Sequence, residues 1–485
     1  MKKTVGTLLS ALLFFSLYAQ PSEDLPGDFL GRSFHKERRQ ALREKLPPNS
    51  VAVFFANPVR NRSHDVDFVY HQDPNFYYLT GYKEPDAVLL IFKDKQTANN
   101  GNQYDEIIFV QPRNAQAEMW TGRRLGNVGV KETLGFNEAF NNTDFKKYNV
   151  DFSKFQAILF TDFNNDVRDN PLDSADLYSL IEQFKQKVNY PSAETINVSR
   201  EARINNLNTR ELPVIMGTLR GKKQPEELAL IRKAVAISGM AQREVMKAIK
   251  PGMSEREIQG IHEYVFKKYE AEDVGYPSIV GAGHNGCILH YIENYKPNIR
   301  NTELILMDLG AEYHGYTADV TRTIPVSGKF SPEQKMIYEL VLKAQEEAMK
   351  ACKPGITTEE LSAITQRVVN KGLAELGIIK NENEQHLYYP HGCCHHIGLD
   401  VHDPVPEGRL EENMVITVEP GIYIPENAKC DKRWWGIAVR IEDDCLITKD
   451  GYELLSSSAP RTVDEIEALM KEPSPLDDFE LPEIK

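Results

Sequence analysis

Apolar and polar positions alternate along this chain with two periods, and where one gives way to the other the element changes. Residues 34–46, FHKERRQALREKL, space their apolar positions as an amphipathic helix does and stop at Pro47-Pro48. Residues 51–55, 76–79, 87–92 and 106–111 are short apolar runs of strand composition. A further run, ILFTD at 158–162, and a helical pattern over 174–188 complete an α/β unit that closes near Leu212, taken as residues 31–215.

The second unit, taken as residues 216–470, opens with RGKKQPEELALIRKAVAISGMAQREVMKAIKPG. Pro225 followed by Glu226 and Glu227 is a helix start with acids at the positive end of the dipole, and Pro251-Gly252 is a stop. Residues 254–269, 332–352 and 358–376 read as further helices, whereas 303–326, 414–419 and 436–448 are β-rich. Helices and antiparallel ribbons in separate runs predict an α+β architecture. The acidic, proline-bearing tail, residues 471–485, reads as a mobile or surface-laid extension. No internal repeat is visible.

The first chemistry lies in residues 303–326, ELILMDLGAEYHGYTADVTRTIPV. A two-residue hairpin loop at His314-Gly315 sets Tyr313 opposite Tyr316, Gly310 opposite Asp319 and Asp308 opposite Thr321. Asp308 and Asp319 then share one face of the ribbon as diagonal neighbours. If that face is buried, two carboxylates need cations or protons between them; if it is exposed, they are an ordinary solvated pair.

Composition narrows the class. A chain of 485 residues, 41% hydrophobic and 26% charged, is a folded protein with room for two domains or more. Its formal net charge of -14 excludes a general nucleic-acid binder, which needs a basic surface. Met1, Lys2 and Lys3 precede an apolar run over residues 5–18, the form of a secretory signal peptide spanning residues 1–20; a retained anchor is the alternative. No later segment is long and apolar enough to span a bilayer, so a periplasmic or secreted protein without stable membrane insertion is expected after signal removal. The six cysteines are too sparse for a disulfide scaffold, and most are expected to be free and buried.

Three more stretches carry metal-ligand chemistry. In HGCCHHIGLDVHD, residues 391–403, His391 and His395 are four apart, but Gly392 and Gly398 argue for a loop or extended segment rather than a helix. A Cys/His zinc knot built from CCHH is the alternative, although four consecutive side chains surround one ion poorly. In MVITVEPGIYI, Glu419 closes an apolar strand before Pro420-Gly421. In GIAVRIEDDCLIT, period-two alternation puts Ile437, Val439 and Ile441 on one face and Arg440, Glu442 and Asp444 on the other, where Glu442 could simply pair with Arg440. Taken singly, each residue has a structural explanation. Taken together, two Asp, one His and two Glu on strands or strand ends can hold two divalent cations.

Asp308, Asp319, His395, Glu419 and Glu442, in that order and in those contexts, resemble the metal site of the pita-bread metallopeptidases, the family of methionine aminopeptidase, prolidase and aminopeptidase P. The stretches GAGHNGCILHYIEN with His290, HGCCHHIGLDVHD, RGKKQPEELALIRKA and, in the first half, FANPVRNRSHDVDFVYHQDPNFYYLTGYKEPDAVLLI resemble the aminopeptidase P branch. The resemblance covers roughly residues 33 to 470 and implies a pita-bread domain of two pseudo-symmetric halves behind an N-terminal α/β domain. It implies release of the first residue from peptides with proline second, with Glu419 as general base and proton shuttle. His290 and His402 would stabilise the intermediate or the leaving proline, His391 would support the site, and Arg440 would line the pocket and orient Glu442.

Oxygen-dominated ligation favours a hard ion such as manganese, with zinc, cobalt and iron left open by the single His. A homo-oligomer, dimer or tetramer, is expected. The rivals are a prolidase restricted to Xaa-Pro dipeptides and a metal-free pita-bread binding module.

Overall fold

The structure, a computed structural model, describes residues 27–98, 101–191 and 206–478. The expected signal peptide and residues 479–485 of the tail lie outside the described residues.

The first unit is built on a six-stranded sheet in the order 139–141, 103–110, 88–97, 50–55, 157–159, 207–208. Its central strands pair antiparallel and its outer pairs are parallel. Period-two side chains divide between two cores. Ala52, Phe54, Leu89 and Ile91 face a core continuous with the second unit. Val51, Val53, Leu90 and Phe92 face a separate aromatic core that includes Phe152, Phe160 and Phe184.

Residues 76–79 do not form the expected strand. They lie in the helix Pro74–Thr80, whose first turn is capped by Asp73 accepting from the Phe76 amide at 2.8 Å. Pro74 pre-sets the first helical φ, and Gly81 at φ 70° closes the end. Phe76, Tyr77, Tyr78 and Leu79 are all buried, so the run has no polar period to read, and its caps decide the outcome.

In the second unit the helices Pro225–Ala248, Glu255–Lys268, Pro332–Ala351 and Thr358–Glu375 fall where the sequence pattern put them. Ser254, Ser331 and Thr357 each close a capping box. These helices pack on antiparallel ribbons, which confirms the α+β reading.

The ribbon Leu304–Leu309 with Val320–Pro325 has the expected register, Asp308 opposite Thr321, and Tyr313 stands opposite Tyr316 at its tip. His314 at φ 51° and Gly315 at φ 85° both take the left-handed conformation that a type I′ turn requires. A second ribbon joins 415–418 to 443–447 and 421–424 to 437–440. Residues 436–448 are therefore two strands in two sheets, broken at Ile441-Glu442, rather than one alternating strand. Both faces of that stretch are buried, so Arg440, Glu442 and Asp444 point into the protein.

All six cysteines are free, as expected. Only Cys352, Cys393 and Cys445 are fully buried; Cys287, Cys394 and Cys430 are half-buried. Among the described residues no helix is long and apolar enough to cross a membrane.

Candidate active site

The two ribbons bring their acids to one point. Asp308 and Asp319 are only 8% and 5% exposed, which rules out the solvated pair, and the Tyr276 hydroxyl lies between them at 2.6 and 2.5 Å. His395 Nε2 lies 3.5 Å from Asp319, 3.6 Å from Glu419 and 3.9 Å from Glu442. The second ribbon pairs Val418 with Asp443 and Gly421 with Arg440, so the same register sets Glu419 opposite Glu442 at the break between its two sheets. All five expected ligand residues are thus brought together.

His395 arrives on an extended edge segment, not a helix. Its amide donates to the Thr417 hydroxyl at 3.2 Å, and the Thr417 amide donates back to its carbonyl at 2.9 Å. Asp319, His395 and Glu442 offer atoms within 4.8 Å of one another, and among the described residues this is the group able to hold an ion. It contains no cysteine, so the CCHH zinc knot is excluded.

Charge at this point is unbalanced. Burial and the neighbouring carboxylates push Asp319 and Glu442 far above the usual carboxylate range. Burial also raises Glu419 to about 6 and Asp444 to about 8. Asp308 alone is held low: burial opposes it, but the Arg440 guanidinium sits 2.5 Å from its carboxylate. Four oxygen-donor side chains and one imidazole, with too few protein cations among them, fit a pair of divalent ions.

Arg440 makes no direct bond to Glu442. It reaches across to Asp308 on the other ribbon and touches Glu442 only through Thr321. Its Nε donates to Thr321 Oγ1 at 3.3 Å, and that hydroxyl donates to Glu442 at 2.6 Å. Arg440 also donates to the Tyr423 hydroxyl at 2.9 Å, which in turn lies 2.9 Å from His391 Nε2. With the other ring nitrogen 2.7 Å from the Gly392 carbonyl, His391 is the Nδ1–H tautomer, and burial lowers it to about 4. His402 stacks on His395 at 3.9 Å and is likewise lowered to about 4 by burial. His290 is exposed, and a charge on it acts on both His391 and His402.

Sequence reasoning missed Tyr276 and Thr321, which no motif marks. It also missed a buried ion cluster behind the loop. Arg220 Nη2 contacts Asp403 and Asp400, Lys223 Nζ donates to Asp403 at 2.7 Å, and Arg220 Nη1 donates to Asn75 of the first unit at 3.0 Å. Both halves of that cluster stood in the sequence, in RGKKQ and in GLDVHD, without any sign that they meet.

An α/β unit followed by a ribbon-and-helix unit with a buried carboxylate-rich centre defines the class, a two-domain metallopeptidase. Comparison with known proteins agrees. Residues 229–449 match the model of metallopeptidase family M24, and residues 35–157 match that of the aminopeptidase P N-terminal domain. The chain is 35% identical over 466 residues to the Xaa-Pro aminopeptidase of Escherichia coli K12, covering 91% of this chain and 98% of that protein. It is 36% identical over 447 residues to the Xaa-Pro aminopeptidase of Haemophilus influenzae, covering 90% and 96%. A solved structure of Escherichia coli aminopeptidase P with the inhibitor Pro-Leu superposes with a TM-score of 0.78 at 33% identity, covering 91% of this chain and 98% of that one. The chain belongs to metallopeptidase family M24, in its aminopeptidase P branch, and is a metal-dependent peptide hydrolase.

Proposed function

We propose that this protein removes the first residue from peptides of three or more residues whose second residue is proline. Two divalent ions, manganese the first choice, would be held by Asp308, Asp319, His395, Glu419 and Glu442. The observation that carries the reading is the convergence of these five side chains on one point where acids outnumber cations. When bound, such ions lower the pKa of water and polarise a carbonyl.

The chain's own groups supply the rest. The Glu419 side chain is 19% exposed, the most open of the four carboxylates, so it can take a proton from the attacking water and pass it to the departing proline nitrogen. Tyr423, held by Arg440, fixes the neutral His391 ring, while His402 and the exposed His290 stand to donate to the developing oxyanion or the leaving group. A bond to proline is a tertiary amide without N–H, which explains the use of a dedicated enzyme.

Hydrolysis of an Xaa-Pro-Xaa tripeptide and an Xaa-Pro dipeptide, with and without manganese, tests the reading. Manganese-dependent cleavage of the tripeptide is expected. Cleavage of the dipeptide alone would make the protein a prolidase, and no cleavage by metal-loaded protein would make it a binding module. The Lys2-Lys3 flank and the apolar run after it support secretion to the periplasm or beyond, so mass spectrometry of the purified protein should find a start near residue 20 or 21. Sedimentation should report a dimer or tetramer.

A further inference from the structure

Each long helix that opens a half of the second unit carries one buried glutamine, and each glutamine spends its amide on the opposing ribbon. Gln242, in Pro225–Ala248, donates to the carbonyls of Met307 at 3.1 Å and Val320 at 2.8 Å. Gln345, in Pro332–Ala351, donates to those of Val418 at 2.9 Å and Ile441 at 3.1 Å. Both side chains are fully buried. The four carbonyls are not scattered. Met307 precedes Asp308 and Val320 follows Asp319; Val418 precedes Glu419 and Ile441 precedes Glu442.

The second clamp fills a gap in the ladder. In the register that sets Val418 opposite Asp443 and Gly421 opposite Arg440, Pro420 faces Ile441. An antiparallel pair of this kind exchanges two bonds. Ile441 N–H does reach the Pro420 carbonyl, at 3.4 Å, but proline has no N–H to return, so the Ile441 carbonyl would be left without a ladder donor beside Glu442. Gln345 supplies it. The same amide donates to Asp443 at 2.9 Å, and the Gln345 carbonyl accepts from Arg461 at 3.1 Å, so its orientation is fixed. In the first half the clamped carbonyls flank the Asp308–Thr321 pair.

We propose that Gln345 is a positioning residue for the metal centre, holding Glu419 and Glu442 opposite each other across a break that Pro420 creates, with Gln242 as its counterpart behind Asp308 and Asp319. The proposal rests on the metal reading above. Neither glutamine touches a ligand side chain; each acts through the backbone to which the ligands are attached. A buried carbonyl deprived of its donor moves to find another, and the carboxylate next to it moves too.

The test is titration of metal-free protein with manganese alone, reading stoichiometry and Kd by calorimetry. Gln345→Met and Gln242→Met keep the length of the side chain and lose both donors, and each should weaken manganese binding roughly 10-fold or more, as supporting partners of metal ligands usually do. Ile231→Ala, in the buried core of the first long helix and far along it from Gln242, controls for general loss of stability and should leave Kd unchanged. Pro420→Ala returns an N–H to the gap, so Gln345→Met with Pro420→Ala should bind manganese more tightly than Gln345→Met alone. If a Met variant does not fold, the corresponding Gln→Asn, whose shorter amide cannot span both carbonyls, takes its place with the same expected direction.

Parent protein binding two ions while the folded glutamine variants bind with the parent's Kd, or with a Kd weakened no more than in Ile231→Ala, would overturn the proposal and leave the metal reading standing. Parent protein that binds no manganese would overturn both.

Discussion

Two buried charge clusters lie close together on the loop 391–403, and they are built on opposite principles. Around Asp403 the account balances: Arg220 and Lys223, each 2% exposed, face Asp403 and the rim residue Asp400. Burial alone would raise Asp403, but Lys223 and Arg220 hold it below the usual range. Around His395 the charges do not balance, because Asp308, Asp319, Glu419 and Glu442 share one guanidinium and one imidazole. A balanced buried cluster ties elements together; an unbalanced one is a site awaiting cations. The first joins the helix Glu211–Gly221 and Asn75 to the loop, and so fixes the base on which His395 and His402 sit.

The largest effect should come from the unbalanced cluster when it is loaded. Glu419→Gln keeps shape and one oxygen but loses the negative charge and the ability to take a proton. General acid–base assistance is worth about 10² to 10⁴ in rate, and weaker ligation adds to the loss. Tripeptide hydrolysis under saturating manganese should fall by at least that factor, with the far-UV spectrum unchanged. Activity within tenfold of the parent, with two ions per chain by elemental analysis, would make Glu419 a ligand only.

Next in size is the balanced cluster. Asp403→Asn leaves Arg220 and Lys223 buried without their main counter-charge, a change worth about 3–5 kcal/mol when a buried pair is broken. Urea unfolding of the metal-free protein should show that loss. A change below about 1 kcal/mol would mean that water or Asp400 compensates, and the distinction between the clusters would weaken.

The clusters should also respond to pH with opposite sign. Glu419, Asp319 and Glu442 have folded-state pKa values above their ordinary ones, so the folded state takes up protons first and gains stability as pH falls through that range. For Glu419 the window runs from about 6 down to its ordinary 4.5, a gain of roughly 2 kcal/mol. Asp403 is depressed, so its contribution is present above the ordinary 3.8 and is lost as pH falls through its lower folded value. His391 and His402, lowered to about 4 by burial, oppose that gain because they must charge on unfolding, so the comparison is with Glu419→Gln, which keeps both rings. Relative to that variant, metal-free parent should gain stability from pH 8 to pH 5, and the Asp403 contribution should be lost below about pH 4. Melting temperatures across that range, with and without manganese, check this, and the rise should vanish with metal.

Much of this was readable in advance, for identifiable reasons. The long helices of the second unit announce themselves through Pro225, Ser254, Ser331 and Thr357, because a cap is a local interaction between neighbours in sequence. The hairpin register followed from one turn, His314-Gly315. The five ligand residues were legible as a set only through their order and contexts. What escaped was non-local. Residues 76–79 are buried on every side and carry no period. Arg440 was assigned to Glu442, two positions on, but spacing gave no sign that its long side chain also crosses to Asp308, 132 positions away. Thr321, Tyr276 and the two clamping glutamines are ordinary residues until the fold shows what they touch.

The smallest effect makes the sharpest distinction, because it concerns direction. Asp319→Asn keeps an oxygen to accept from Tyr276, at 2.5 Å in the parent, and removes a charge pressed upon by Asp308, Asp444 and Glu419. In metal-free protein at pH 7.5 that removal relieves repulsion, so the variant should be more stable than the parent by about 1 kcal/mol, roughly 1 °C in melting temperature for a chain of this length. The same kind of substitution at Asp403 destabilises. Saturating manganese should reverse the order at Asp319, since the parent then gains the binding free energy of two ions and the variant holds them poorly. A variant less stable than the parent in both states would show that the Asp319 carboxylate is satisfied by the protein alone. The two clusters would then differ in geometry but not in principle, and the excess of acid around His395 would no longer argue for cations.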